Sequence, residues 1–458
     1  MRHDLVIIGA GSGNTIVDDS FGDLDVAIVE QDLFGGTCLN RGCIPSKMLA
    51  HTAEVAGTVR TAGRYDVDAR LDGVRWPDVV DRVFDRLDPS AADGKNGRED
   101  SDFVTVYTGT ARFTGARRLT IDTEDGPTEV EAGQVVLATG SRPVVPPVVA
   151  DSGLPYETSD TIMRIAEPPR RLAVLGGGYV AVELAQVFAE TGAEVTIVEQ
   201  ADTLLGPQDE TVSVRFTDLA RKRFDLRLGA ELKMLGGEPG GALRLTLYDG
   251  AVIEADTLLV AVGRIPNGDR LGLPAAGIDV HDDGRIVVDR YQRTTAEGVF
   301  ALGDACTPKP LKHVANREAA AVKHNLRHPG ELISAEHDVI PAAVFAQPQI
   351  ASVGATEQEC RDQGKDYVVG CADYSATAYG WAIEDETSFC KVLADRRTGL
   401  ILGAHIMGPQ AATLIQPLVL AMSTGITART VALTPYWIHP APTEVVENAL
   451  RALDLDLG

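Results

Sequence analysis

The sequence predicts an α/β fold of two Rossmann-like dinucleotide-binding domains followed by a smaller C-terminal α+β domain. Two Gly-rich turns carry the first part. Leu5-Val-Ile-Ile-Gly9-Ala-Gly11-Ser-Gly13-Asn14 and Leu172-Ala-Val-Leu-Gly176-Gly-Gly178-Tyr-Val-Ala181 each follow an apolar strand and read as the opening of a helix. About 20 residues further on, an acid closes a second apolar strand: Glu30 in DVAIVE and Glu199 in EVTIVE. One such turn is weak evidence, whereas two in full strand-turn-helix-strand-acid context imply two bound dinucleotides. Glycines let the backbone approach a pyrophosphate, the helix N-terminus offsets its charge, and the acid accepts ribose hydroxyls. A change of texture carries the last part. From about Pro341 the Gly-rich turns vanish, and strand-like runs (CKVLAD, LILGAHIMG) alternate with a helical one (AATLIQPLVLAM).

Taken in order, the chain starts with a strand at Asp4 to Ile8. Ser46 to Val59 reads as a helix, and Ala91 to Asp102, mixing Gly, Asp, Lys and Arg, reads as a flexible excursion. Three further apolar strands end in turns: Val135 to Pro143 through Thr139-Gly140-Ser141, Leu258 to Asn267 through Gly263-Arg264, and Gly298 to Asp304 through Gly303. The expected boundaries are 1–147 and 265–335 for the two parts of the first nucleotide domain, 148–264 for the second, and 336–458 for the C-terminal domain.

Composition agrees with several domains: 458 residues, 44% of them apolar, fit about three at ~150 residues each. The net charge of −24 argues against nucleic acid or an anionic membrane as partner. No run approaches the roughly 18 apolar residues of a membrane span, and the early strand leaves no basic-then-apolar leader, so a cytoplasmic location is expected. Cys306, Cys360, Cys371 and Cys390 follow no motif and are expected to be buried or inert.

The remaining cysteines are different. Cys38 and Cys43 stand in GGTCLNRGCIPSK, framed by Gly35-Gly36 and Gly42. A disulfide wants Cα atoms roughly 5.5 Å apart, and residues five apart in a regular helix do not face each other. The intervening backbone must therefore be distorted, which the glycines permit. Cys43 falls near a helix N-terminus, where amide dipoles favour a thiolate. A redox-active pair is the reading; a zinc half-site or two buried thiols are the alternatives, and no second Cys or His pair stands at metal-ligand spacing, so no metal is expected.

Together these motifs resemble the two-dinucleotide flavoprotein disulfide reductases, the family that includes glutathione reductase, dihydrolipoamide dehydrogenase and mycothione reductase. The resemblance covers essentially the whole chain and rests on the CxxxxC block, ATGSRP, GGGYVAVE, a GRxPN-like turn, the LGD strand and a C-terminal His-Pro...Glu. It implies FAD on the first turn, at Gly9, Gly11, Gly13 and Asn14, with Glu30 on the adenosine ribose. Gly36, Thr37, Thr139, Gly140, Ser141, Arg264 and Gly303 would complete that site, and Asp304 would hold the ribityl chain. Gly176, Gly178, Ala181, Glu199 and Gly263 would bind the nicotinamide coenzyme. Lys47 would lie near the flavin and pair with Glu183, and Tyr179 would gate the nicotinamide side. The resemblance also gives the thiols roles: Cys43 as the charge-bearing thiolate, Cys38 as attacker of a substrate disulfide. His439, oriented by Glu444, would protonate the leaving thiol. In the family this His reaches the disulfide of the other subunit, which implies a homodimer with a shared active site.

Departures from the common pattern bear on the substrate. Asn14 replaces a third Gly, and AYGWAIEDE, IMGPQAATLIQPLVLAM and YWIHPAP resemble the branch that reduces oxidised mycothiol. Mycothiol is a largely uncharged sugar conjugate, which an acidic chain handles more easily than glutathione disulfide. Tyr379, Trp381, Glu384, Asp385 and Trp437 offer faces and acceptors for sugar hydroxyls, with domain core or dimer contact as the equal alternative. GGTCLN and CIPSK equally suit a dihydrolipoamide dehydrogenase using NAD. Mercuric and thioredoxin reductase variants fit less well, because LRALDLDLG ends without their extra cysteine pair. A flavin-binding redox sensor that does not turn over is the reading from a different class. It would be expected to lose Cys38, Cys43, His439 or Glu444, and all four are present. For the coenzyme, Glu199 would repel a 2′-phosphate and suits NADH, whereas the mycothiol branch is expected to use NADPH. Arg41, where relatives have an apolar residue, either lowers a thiol pKa or points to solvent.

Overall fold

The computed structural model describes residues 1–238 and 240–455, so the last three residues of the LRALDLDLG end lie outside it. The first parallel sheet runs in the order Val104–Gly115, Val26–Glu30, Arg2–Ile8, Gly126–Leu137, Val299–Ala301. Arg118–Thr123 joins the long outer ends of two of these strands in an antiparallel meander. Leu5, Val6, Ile7, Val26, Ala27, Ile28 and Val29 are all at most 1% exposed. Both faces of the sheet are covered, which is why its strands are continuous apolar runs rather than alternating ones.

The second parallel sheet is Asp225–Arg227, Glu194–Val198, Arg171–Leu175, Thr257–Val260 and Glu157–Thr158, backed by an antiparallel sheet of Leu232–Gly237, Leu243–Leu247 and Val252–Ala255. A two-stranded ribbon, Ser141–Pro143 against Arg264–Pro266, links the two nucleotide units. The third unit is a five-stranded antiparallel sheet of Ala342–Val344, Ile350–Gly354, Ile401–Met407, Phe389–Asp395 and Tyr367–Asp373, covered by C-terminal helices.

One interdomain contact positions the site. The Cys43–Thr61 helix of the first unit lies along the Tyr179–Thr191 helix of the second, and Leu49, Ala53, Leu184, Val187 and Phe188 share one core. Ion pairs Lys47–Glu183 and Arg60–Glu190 span the same two helices.

Three expectations are corrected. Ala91 to Glu99 is no excursion: it ends a helix running from Trp76 to Glu99. Ala91 is buried on the packed face of this helix while most of its Gly, Asp, Lys and Arg neighbours face outward; composition alone misreads such a solvated helix face as flexibility. The first Gly-rich turn opens no regular helix, only the 3₁₀ turns Gly13–Thr15 and Asp19–Phe21, because too few residues separate it from the strand at Val26. The AATLIQPLVLAM run forms two helices, Ala411–Leu414 and Gln416–Thr424, with Pro417 opening the second. Of the four cysteines outside the CxxxxC block, Cys306, Cys360 and Cys390 are buried and Cys371 is exposed.

Candidate active site

Cys38 lies in the short helix Gly36–Asn40, and Cys43 is the first residue of the helix Cys43–Thr61. Between them the helix breaks at Arg41 (φ −153°) and Gly42 (φ −142°). Only glycine fits there, since a Cβ on Gly42 would come 2.8 Å from the Thr37 carbonyl oxygen. Asn40, 2% exposed, fixes the first turn by donating to the carbonyls of Phe34 and Gly36 at 2.9 and 3.0 Å. The whole loop rests on the first Gly-rich turn, with a Cβ on Gly36 meeting the Gly11 Cα at 2.8 Å.

Both cysteines are thiols here and are hydrogen-bonded to each other. The bond polarises the pair. Cys43, accepting from Cys38 and facing the Lys47 ammonium, is lowered to about 6, against the opposing effect of burial. Cys38, holding the shared proton, is raised far above its usual value. Arg41 plays no part: its guanidinium pairs with Asp32. The thiolate should therefore be present above pH about 6 and lost below it. Iodoacetamide alkylation of Cys43 in the reduced protein, followed by mass spectrometry against pH, is expected to rise through that value; Cys38→Ala should move the midpoint up towards the ordinary ~8.5 of a thiol.

Lys47 is bound by Glu183 at 2.6 Å and lies 4.7 Å from the Phe345 ring centroid, while Glu183, 5% exposed, also accepts the Phe345 N–H at 2.8 Å. Each of the three units thus supplies one residue to the cluster around the Lys47 ammonium. Across the site, Ser141 donates to Asp304 at 2.6 Å, and Arg264 donates to the Ser141 hydroxyl and carbonyl at 2.8 and 2.7 Å. Glu30 accepts the Ala10 and Asp32 N–H groups at 2.7 and 3.0 Å, beside the Gly9-Gly11-Gly13 turn. A Cβ on Gly13 would meet Ala138 at 2.8 Å. Thr139 Oγ1 is buried without a protein partner next to Gly140. An unused donor beside a Gly-rich cradle fits a bound cofactor, so these residues suit FAD.

The second turn opens a cavity of about 490 Å³ lined by Gly176, Gly178, Tyr179, Glu199, Gly263 and Arg264. Ala181 is fully buried behind it, and Tyr179 is 45% exposed. Glu199 accepts the Ala201 N–H at 2.8 Å, and its Oε2 lies 2.8 Å from where a Gly177 Cβ would stand.

His439 and Glu444 form the pair expected of them, Nδ1 to Oε1 at 2.7 Å, with the imidazole 69% exposed. Among the described residues no hydrogen bond joins His439 to the thiols of the same chain. Tyr436 and Ile438 beside it are also exposed. Of the five residues suggested as sugar contacts, Asp385 is spent on Thr387 and Ser388. The Ile383-Glu384 carbonyls accept from Arg64 and Tyr65 at the end of the redox helix. Trp381 is 66% exposed with its Nε1 donating to Ser375 O at 2.7 Å, Tyr379 is half-buried, and Trp437 packs on the C-terminal core.

The sequence reading missed three groups. Arg98 donates to Asn14 Oδ1, Asn14 O and Val17 O, replacing helix bonds the short turn lacks. Glu318, fully buried, accepts the Gly303 N–H at 2.6 Å and pairs with His337. Lys391 and Asp209 form a buried ion pair at 2.8 Å between the second and third units. Arg98 and Lys391 sit in runs with no motif; Glu318 shows only as an acid on the apolar face of a helix.

This arrangement, two nucleotide sites flanking a polarised dithiol, defines a disulfide oxidoreductase. The chain belongs to the pyridine nucleotide-disulphide oxidoreductases, a family that matches residues 3–322, with its dimerisation domain matching 340–450; the family binds FAD and a pyridine nucleotide. A mycothione reductase of Mycobacterium tuberculosis is 49% identical over 458 residues, spanning 98% of this chain and 99% of the relative. A dihydrolipoyl dehydrogenase of Halobacterium salinarum is 34% identical, over 99% of the chain and 96% of the relative. Among solved structures, the copper(II) complex of the HOCl-induced flavoprotein disulfide reductase RclA from Escherichia coli superposes with a TM-score of 0.86 at 26% identity, covering 98% of this chain and 99% of that one. No helix among the described residues is long and apolar enough to cross a membrane.

Proposed function

We propose that the enzyme reduces the disulfide of mycothiol to the thiol, at the expense of a reduced nicotinamide coenzyme. The observation that carries this reading is the end-to-end 49% identity with a mycothione reductase, set beside 34% with a dihydrolipoyl dehydrogenase. FAD, when bound, supplies the two-electron relay between coenzyme and the Cys38–Cys43 disulfide. Reduction opens that bond to the dithiol, leaving charge on Cys43 and the proton on Cys38. Lys47, held by Glu183, stabilises the Cys43 thiolate. His439, oriented by Glu444, takes the Cys38 proton; the Cys38 thiolate attacks one sulfur of the substrate disulfide to form a mixed disulfide, and the departing thiolate takes that proton from His439. The Cys43 thiolate then attacks the Cys38 sulfur and restores the disulfide, and the second thiolate leaves and takes a proton from solvent.

In this reading the exposed His439 serves the dithiol of a partner subunit, the protein works as a homodimer, and Tyr179 shields the face on which the nicotinamide docks. Glu199 lines the coenzyme cavity, and the segment that follows it, Gln200 to Pro207, carries no arginine for a 2′-phosphate, which favours the free 2′-hydroxyl of NADH. Steady-state turnover with oxidised mycothiol, lipoamide and glutathione disulfide, each with NADH and NADPH, tests both points. A dominant kcat/KM for oxidised mycothiol with NADH is expected. Dominance of lipoamide makes the chain a dihydrolipoyl dehydrogenase, and preference for NADPH overturns the reading of Glu199.

A further inference from the structure

We propose that Lys312 is the cation that holds the FAD pyrophosphate on the first Gly-rich turn. In the usual arrangement the N-terminus of a long helix offsets that charge. Here the turn is followed only by the three-residue 3₁₀ helix Gly13–Thr15, and so few aligned peptides make a weak dipole. The surroundings are also unfavourable to an anion. The chain carries a net −24, and the Glu30 carboxylate sits on the Ala10 N–H of the same turn. A local positive charge is required there.

Lys312 supplies one. It opens the 16-residue helix Lys312–Arg327, and its Nζ donates to the Ser12 hydroxyl, between Gly11 and Gly13, at 2.9 Å. A cation in the first turn of a helix opposes the helix dipole, so this placement costs stability unless an anion compensates it. Among the described residues no carboxylate pairs with Lys312; its hydrogen-bond partner is the neutral Ser12. The neighbouring cations are already committed: Lys323 to Asp18, Arg327 to Asp23, and Arg98 to the Asn14 and Val17 carbonyls. Lys312 is thus a half-buried ammonium at the phosphate cradle, and among the described residues no carboxylate neutralises it.

The proposal rests on FAD occupying the first turn. The test measures release of FAD from the holoenzyme, by fluorescence of the free flavin on dilution, at low and high ionic strength for wild type, Lys312→Gln and Lys312→Arg. The expected result is a dissociation constant about tenfold higher for Lys312→Gln at low salt, as for loss of one charge-assisted hydrogen bond, with a flattened salt dependence; Lys312→Arg should stay near wild type. Equal affinity and equal salt dependence in wild type and Lys312→Gln would overturn the proposal. So would equal weakening in both variants, since charge would then not be the cause. A wild-type protein that carries no flavin would instead overturn the assignment of the first turn to FAD.

Discussion

Replacing Cys38 by serine is expected to lower kcat/KM for disulfide reduction at least about a thousandfold while the protein keeps its flavin and its visible spectrum. The physical reason is the division of labour within the pair. Cys38 carries the proton and Cys43 the charge, so Cys38 is the sulfur released for attack once a base removes its proton. A serine hydroxyl cannot form the mixed disulfide, and among the described residues Cys38 is the thiol that partners Cys43. Coenzyme-driven reduction of a small quinone, which needs no dithiol, should survive in the same variant. That contrast separates loss of the dithiol from loss of the fold. Normal disulfide turnover by Cys38→Ser would remove the dithiol from the mechanism.

The largest expected effect on stability lies elsewhere, at the seam between the second and third units. Lys391 Nζ meets Asp209 Oδ1 at 2.8 Å and Glu357 at 2.7 Å, with the Lys391 and Asp209 side chains 4% and 0% exposed. Asp209 also caps the Glu210–Ala220 helix through the Thr211 N–H and accepts the Glu357 N–H at 2.9 Å. Lys391→Met is expected to destabilise the protein by about 3–5 kcal/mol, because it leaves a buried carboxylate without its counter-ion. Lys391→Met combined with Asp209→Asn should recover part of that loss, measured as the shift in denaturant midpoint. The pH dependence follows from the sign of the shift. Burial alone would raise Asp209, yet Lys391 and the Glu357 N–H hold it below the usual carboxylate range. Its contribution is therefore present above the ordinary ~3.9 of an aspartate and lost as pH falls through the depressed value. A Lys391→Met midpoint equal to wild type at neutral pH would show that the seam contributes nothing.

The fold was legible where chemistry imposes a pattern on neighbouring residues. Gly9-Ala-Gly11-Ser-Gly13 and Gly176-Gly-Gly178 marked the nucleotide turns because a backbone that approaches closely needs glycine at fixed offsets. The cysteine block announced its own broken helix through Gly42. What stayed hidden depends on contacts distant in sequence. Arg98 lies 84 residues from Asn14 and Lys391 182 from Asp209, and nothing local marks either. The Ala91 to Glu99 stretch misled because the Gly, Asp, Lys and Arg residues on the outer face of this helix look in isolation like a loop. The first turn misled in the opposite sense: its glycines are in place, but the segment before Val26 is too short for the helix that normally follows. Arg41 was undecided from sequence because its partner, Asp32, is nine residues back and outside any motif.

The measurement that tests the account most directly is the redox state of Cys38 and Cys43 before and after anaerobic addition of reduced nicotinamide coenzyme, read by alkylation and mass spectrometry of the peptide that contains both. The account predicts a disulfide in the protein as isolated, protected from alkylation, and two alkylatable thiols once the coenzyme has been oxidised. A pair that remains unchanged while the coenzyme is consumed would contradict it, because electrons would then leave the flavin by another route.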